Sequence, residues 1–224
     1  GSLFFHSSMH KKTNTIIILV ISISVIYAII RYHIFNGVPL SYIIDVLNKG
    51  IALAAILLIA LSLSIGPLAR RFPKKFGRIE IGKRLFGLWG FTLSFFHTLI
   101  SLLILKPNHY KIFYSFLKMN VLGEFVLISG FISLLLIGLA FITSFPHLFP
   151  FSQKSFRLTQ FAGYIGCVVA GLHVFPIGVN QWTQISSWPG NMVPITFISF
   201  FAVIITVILR TQSSLMPLFQ KEKS

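Results

Sequence analysis

The sequence has very few acidic residues, with 4 Asp and Glu among 224 residues, and charged residues of both signs make up only 10%. A typical soluble domain is about 25% charged, so this chain has too few polar side chains to cover the surface of one. The single cysteine, Cys167, lies in an apolar run, which excludes a disulfide framework and a thiolate metal site. HExxH, P-loop and strand-linked GxGxxG motifs are also missing, so the usual markers of soluble zinc and nucleotide chemistry are absent.

Apolar residues are abundant instead: 55% of the chain is hydrophobic, 24 residues are Phe, and the mean hydropathy is +0.85. This composition excludes intrinsic disorder. Segments of about 20 apolar residues are long enough to cross a bilayer as helices, and six occur, at 14–35, 46–68, 85–105, 122–144, 158–179 and 192–210. We therefore predict an all-α fold, a six-helix transmembrane bundle. Gly1-Ser2 is typical of a cloning remnant, so we expect residues 1–8 to be such a remnant or a disordered tail and 9–224 to form one transmembrane domain.

Basic residues dominate the charge, with 19 Lys and Arg and a net charge of +15. In a soluble protein this excess would suggest a nucleic-acid partner. Here the basic residues lie between the apolar runs, and 14 of the 19 fall on one side if six spans alternate in direction. The positive-inside rule then predicts that both termini are cytoplasmic. We expect a multi-pass protein of a bacterial inner membrane that contacts the lipid bilayer and no nucleic acid, with Trp182 and Trp188 in the last outer loop.

Ionisable residues inside a membrane are costly and mark functional sites by default. Four charged residues near span ends are explained by snorkelling to the interface: Arg31, Asp45, Glu124 and Arg210. Five of the seven histidines are expected to have structural roles: His6, His10, His33, His109 and His147. His147 is the least secure of these, because it lies in a turn between two prolines. The remaining two, His97 and His173, lie within apolar spans.

His97 and His173 are expected at matched depth on two parallel helices, the third and fifth spans. Counting 13 residues back from each reaches Arg84 and Gln160 at the cytoplasmic border, so each imidazole lies about 20 Å from that border. Two neutral imidazoles can ligate haem iron without burying a net charge of their own. The sequence therefore predicts a b-type haem between His97 and His173.

Small residues recur near both histidines. Gly90 and Gly166 each lie seven residues earlier, two turns away on the same helix face. We interpret them as haem-packing positions that leave room for a flat macrocycle. Tight packing between helices is the alternative, because small residues serve that purpose in membranes generally.

The segment Lys-Arg-Leu-Phe-Gly-Leu-Trp-Gly-Phe at 83–91, running on to His97, resembles the third span of ferric-reductase-like transmembrane proteins. The closest resemblance is to the MsrQ/YedZ group, and Ile65–Arg71 is similar to that group's second-span ending. The similarity covers roughly residues 45 to 178. It implies a six-helix membrane cytochrome, the electron-transfer subunit of a ferric-reductase-like or MsrPQ-like oxidoreductase system, with His97 and His173 as axial ligands.

Two-haem relatives carry a further histidine on each of these two helices, and MsrQ proteins keep one at the position that matches Gln160. At the matching positions this chain has Lys83 or Arg84 on the third span and Thr159 or Gln160 on the fifth span. We therefore expect one haem. A gap of about 20 Å to the cytoplasm is long for one electron-transfer step. It predicts a second carrier, a flavin or quinone, near the inner face.

Basic residues at that face are candidates for a cofactor or donor site: Arg78, Lys83, Arg84 and Arg157. They could bind a flavin phosphate or a separate acidic electron donor, or they could serve topology and lipid headgroups alone. On the outer side, Lys106, Lys111, Trp182 and Trp188 could meet haem propionates or the acceptor. That acceptor would be an outer-side reductase partner, a metal ion or oxygen.

Two other functions stay open. A small transporter would have helices broken by Gly or Pro, and Pro176 and Pro194 are the only candidates for such breaks. A non-catalytic membrane scaffold would use small-residue faces to hold a partner. Haem content separates both from the cytochrome.

Overall fold

The computed structural model describes residues 2–80, 82–145 and 152–221, with side chains for 11–77, 79–80, 82–145 and 152–212. This part of the chain forms seven α-helices: α1 (Ser2–Ala28), α2 (Ile43–Arg71), α3 (Pro73–Glu80), α4 (Lys83–Leu103), α5 (Val121–Ile142), α6 (Gln153–Trp182) and α7 (Ile195–Lys221). A π-helical segment, Ile29–Phe35, continues α1. Between α4 and α5, strands β1 (Tyr114–Ser115) and β2 (Lys118–Met119) pair antiparallel as a small hairpin. His147 lies outside the described residues.

Six of the helices are long and apolar enough to cross a membrane, which agrees with the predicted number of spans. The chain therefore has the character of an integral multi-pass membrane protein. The seventh helix, α3, has only eight residues and connects α2 to α4. Its partly buried Phe76 and Ile79 pack onto a core cluster that includes Leu58 and Phe86.

Several helices differ in length from the prediction. Helix α1 begins at Ser2, before the predicted first span, and neither Pro nor Gly interrupts it. Helix α6 has 30 residues and continues through Pro176 to Trp182. Helix α2 likewise continues through Pro67. These two prolines are accommodated within continuous helices, unlike the broken spans of the transporter alternative.

Contacts between the helices define two ends of the bundle. One end carries the basic residues of α3 and of the start of α4, and we call it the basic end. There Arg71 on α2 donates to Gln212 on α7, and Gln160 on α6 donates to Thr143 just after α5 (2.9 Å). At the opposite end, the Tyr27 hydroxyl on α1 donates to the Val193 carbonyl before α7 (2.7 Å). The spanning helices therefore alternate in direction, as short connections between six spans require.

Helix α2 is the most buried span and packs against α1, α4 and α7, while α5 and α6 form a second closely packed pair. Small residues allow these close approaches. A β-carbon at Gly50 would lie 2.8 Å from the Val25 α-carbon of α1. Buried hydroxyl contacts also link the spans, such as Ser64 on α2 to Thr206 on α7 at 3.1 Å, as is common between membrane helices.

Candidate functional site

His97 is oriented by a side chain from α2. Its Nδ1 atom lies 3.0 Å from Oδ1 of Asn48, which is only 1% exposed. The Asn48 Nδ2 group donates to the Ser101 hydroxyl at 2.8 Å, so Oδ1 is the atom left to accept from His97. His97 Nδ1 is therefore assigned as the protonated nitrogen, and Nε2 is the nitrogen that remains for a metal.

His173 is oriented in the same way by the backbone of α5. Its Nδ1 atom lies 2.7 Å from the Val126 carbonyl oxygen, which can only accept, so Nδ1 is again protonated. The ring lies against Gly130, where a β-carbon would be 3.0 Å from Nδ1 of His173. Glycine at 130 thus makes room for this imidazole.

The two histidines lie at the same depth in the bundle. Asn48 and Val126 are each the sixth residue of their helices, about 8 Å from the helix starts at the opposite end. Helices α4 and α6, which carry the two histidines, are not among the closely packed helix pairs of the described chain. The two histidines therefore lie at matched depth on two helices that are not a closely packed pair.

The donor set consists of two imidazoles, each oriented by an oxygen acceptor of a neighbouring helix. Among the described residues, no group of three or more His, Cys, Asp or Glu could hold a metal, whereas a haem iron needs only two axial protein ligands. A metal-ligating histidine usually donates its other N–H to a carbonyl or amide oxygen, and both rings do so here. His97 and His173 are thus the residues that would hold a haem.

Gly90 and Gly166 both lie at close contacts with neighbouring helices. A β-carbon at Gly90 would lie 2.7 Å from Ile59 of α2, and one at Gly166 would lie 2.8 Å from Ile137 of α5. The Ser133 hydroxyl of α5 also donates to the Gly166 carbonyl at 2.8 Å. The space beside these glycines is filled by Ile59 of α2 and by Ile137 of α5, so each glycine allows a close approach between helices.

The basic candidates at the other end lie on three helices, α3, α4 and α6. Lys83 and Arg84 are exposed at the start of α4, and the Arg84 guanidinium lies 5.9 Å from the Phe145 ring centroid. Arg157 is exposed on α6, and among the described side chains no recorded contact joins it to Lys83 or Arg84. Arg78 lies on α3, and its side chain is outside the described set.

The position that would carry an inner histidine is occupied by Gln160, which hydrogen bonds to Thr143. Thr159 is satisfied within its own helix through the carbonyl oxygens of Ser155 and Phe156.

A polar cluster at the opposite end was missed by the sequence analysis. Asp45 is 7% exposed and forms an ion pair with Lys49, and the hydroxyl of Tyr110 lies beside Asp45, Asn48 and Ser101. Burial raises the pKa of Tyr110 above its usual value, and the Asp45 carboxylate raises it further. The i,i+4 spacing of Asp45 and Lys49 was a signal for the ion pair, but nothing in the sequence pointed to Tyr110.

Two other predictions at this end are corrected. Arg31 does not snorkel, since it is 3% exposed and donates to the Met192 carbonyl oxygen. Trp182 is the last residue of α6 rather than a loop residue, and its indole donates to Thr196 at 3.0 Å. Trp188 does lie in the following loop and donates to the Gln181 carbonyl. Lys106 and Lys111 lie in the connection from α4 to α5.

A comparison with protein-family models finds no match for this chain, and a comparison with curated proteins finds none either.

Proposed function

We propose that the chain is a membrane b-type cytochrome that binds one haem between His97 and His173 and transfers electrons across the bilayer. The observation that carries this proposal is the paired arrangement of two imidazoles, each with Nδ1 bound to an oxygen acceptor of a neighbouring helix and Nε2 left for iron. We also propose membership of the ferric-reductase-like proteins, near the MsrQ/YedZ group, on the sequence resemblance around His97.

The chain's own residues would perform three tasks. Asn48 and the Val126 carbonyl fix the tautomer and the ring orientation of the two ligands. Apolar residues of α2, α5 and α6, with Phe91 of α4, form a core cluster in the same part of the bundle. The charge of Asp45, three residues before Asn48, is paired with that of Lys49. When bound, a bis-histidine haem supplies a one-electron carrier.

We propose that electrons pass from the basic end of the bundle to the opposite end. We assign the basic end to the cytoplasm of a bacterial inner membrane by the positive-inside rule, which places an electron donor near α3 and the start of α4. His97 is fourteen residues from Lys83, or about 21 Å. That distance supports a second carrier, a flavin or quinone, at the basic end, and an acceptor molecule or reductase partner at the opposite end.

Absorbance spectroscopy tests the haem directly. The protein purified from haem-replete cells should show a Soret band that shifts on dithionite reduction, at one haem per chain. His97→Ala and His173→Ala should each lose it while eluting unchanged in size-exclusion chromatography. His33→Ala is the matched control, because its Nδ1 also donates to a backbone carbonyl, that of Val38, but it lies outside the pair.

A colourless wild-type preparation would overturn the proposal and leave the transporter and scaffold alternatives. Retention of the full spectrum in either His97→Ala or His173→Ala would also contradict it, since the haem would then be held elsewhere.

A further inference from the structure

The hairpin between α4 and α5 carries two large apolar residues at its tip. Phe116 is 99% exposed and Leu117 is 87% exposed, and they form the two-residue turn between β1 and β2. Phe116 has φ of 59°, a conformation that hairpin turns normally assign to glycine and that is an outlier for a bulky residue. An aromatic ring therefore occupies a strained backbone position with no protein contact to compensate.

The base of the hairpin is held firmly on the bundle. The Asn120 side chain accepts from the Gly123 N–H and donates to the Ile112 carbonyl, both at 2.9 Å. Phe113 is buried, and a β-carbon at Gly123 would lie 2.6 Å from its carbonyl oxygen. Leu117 is four residues from Val121, the first residue of α5, so the tip lies within about 14 Å of the start of that span.

The two helices joined by this connection each carry an exposed apolar residue next to it. Leu103 at the end of α4 is 75% exposed and Val121 is 82% exposed, and both belong to helices that are candidates to cross the membrane. The tip thus lies in the connection between the ends of two candidate spans. A two-residue tip is also far smaller than the roughly 800 Å² that each partner of a standard protein interface buries.

The charge of the connection fits phosphate headgroups. Residues 104–120 contain Lys106, Lys111 and Lys118 and no acidic residue, and Lys118 is exposed directly beside the tip. Aromatic and apolar residues next to lysine are typical of segments that lie in the membrane interface.

We propose that the Phe116-Leu117 tip inserts into the interfacial region of the adjacent lipid leaflet, with Lys118 at the headgroup phosphates. Insertion would cover the two exposed side chains and offset the strain at Phe116. It would also hold the connection against the end of the bundle, where Tyr110 of the same connection reaches Asn48.

Spin-label accessibility in vesicles tests this proposal without reference to haem. The full-length Leu117→Cys and Phe116→Cys variants, in a Cys167→Ala background, are labelled with a nitroxide and reconstituted into phosphatidylcholine–phosphatidylglycerol vesicles. Power saturation then compares collisions with oxygen and with a water-soluble nickel chelate. If Cys167→Ala does not fold, the native Cys167 is kept, because it is buried and shielded from the label.

Two reference positions calibrate the result. Leu135→Cys, an exposed apolar position within α5, reports lipid, and Ser186→Cys, exposed in the connection from α6 to α7, reports water. The ratio of oxygen collisions to nickel-chelate collisions should be several-fold higher for the tip labels than for the Ser186→Cys label. It should approach the ratio of the Leu135→Cys label. Tip labels as open to the nickel chelate as the Ser186 label would overturn the proposal and leave a protein partner as the occupant to seek.

Discussion

The imidazole of His173 lies against the backbone of α5 at Gly130, so closely that a β-carbon there would be 3.0 Å from Nδ1 and 3.1 Å from Cε1. The same ring donates to Val126, one turn earlier on α5. The orientation of this histidine therefore depends on a glycine that belongs to a different span.

Gly130→Ala should displace the His173 ring and lower haem occupancy, since the outer partners of metal-ligating histidines contribute roughly 10–100-fold in metal affinity. The measurement is haem per chain after purification. Gly138→Ala is the matched control on α5, because its β-carbon would meet the Phe91 ring at 3.2 Å instead of a histidine. Equal haem content in wild type and Gly130→Ala would contradict the assigned position of His173.

Asn48 should act on the haem through His97. Asn48→Leu removes the acceptor for Nδ1, and we expect haem binding to weaken roughly 10–100-fold. Asn48→Asp keeps an acceptor and adds negative charge, so it should restore binding and lower the midpoint potential in a redox titration. Ser101→Ala removes the partner of Asn48 Nδ2 but leaves the His97 contact, and it should shift the potential least. An unchanged potential in all three variants would rule out this positioning role.

Tyr110 should stay protonated in alkaline solution where ordinary tyrosines ionise. Burial raises its pKa above the usual 10.0, and the negative charge of Asp45 adds to this effect. Because the folded-state pKa is raised, any stability that depends on the neutral phenol is complete below pH 10 and is lost as the pH rises further. Spectrophotometric pH titrations of the wild type and of Tyr110→Phe should therefore give the same tyrosinate absorbance near pH 10. A smaller signal in Tyr110→Phe at that pH would count against the buried position.

Gly166→Ala should lower the thermal stability of the bundle whether or not haem is bound, since its β-carbon would lie 3.0 Å from the Ile137 backbone nitrogen. Overpacking of this kind costs about 1–3 kcal/mol. Gly77→Ala is the control, because nothing lies within 4 Å of its β-carbon, and it should leave the melting temperature unchanged or slightly raised. A loss of haem from Gly166→Ala without any loss of thermal stability would favour the predicted haem-packing role instead.

The sequence alone predicted the six apolar helices, because a bilayer requires about 20 apolar residues for each span and the chain provides six such runs. It also singled out His97 and His173, since neutral histidines inside apolar spans stand out against a background with almost no ionisable residues. The helix lengths were less accurate, because continuous helices through Pro67 and Pro176 depend on neighbouring packing.

Only the tertiary structure decided which groups surround these histidines. Asn48 is 49 residues from His97, and Val126 is 47 residues from His173, so no local spacing in the chain relates them. The same holds for Gly90 and Gly166. Helix α2 packs closely against Gly90, and α5 packs closely against Gly166. The periodicity of a sequence tells which residues share a face of one helix, but the rotation and packing of the helices determine what that face meets.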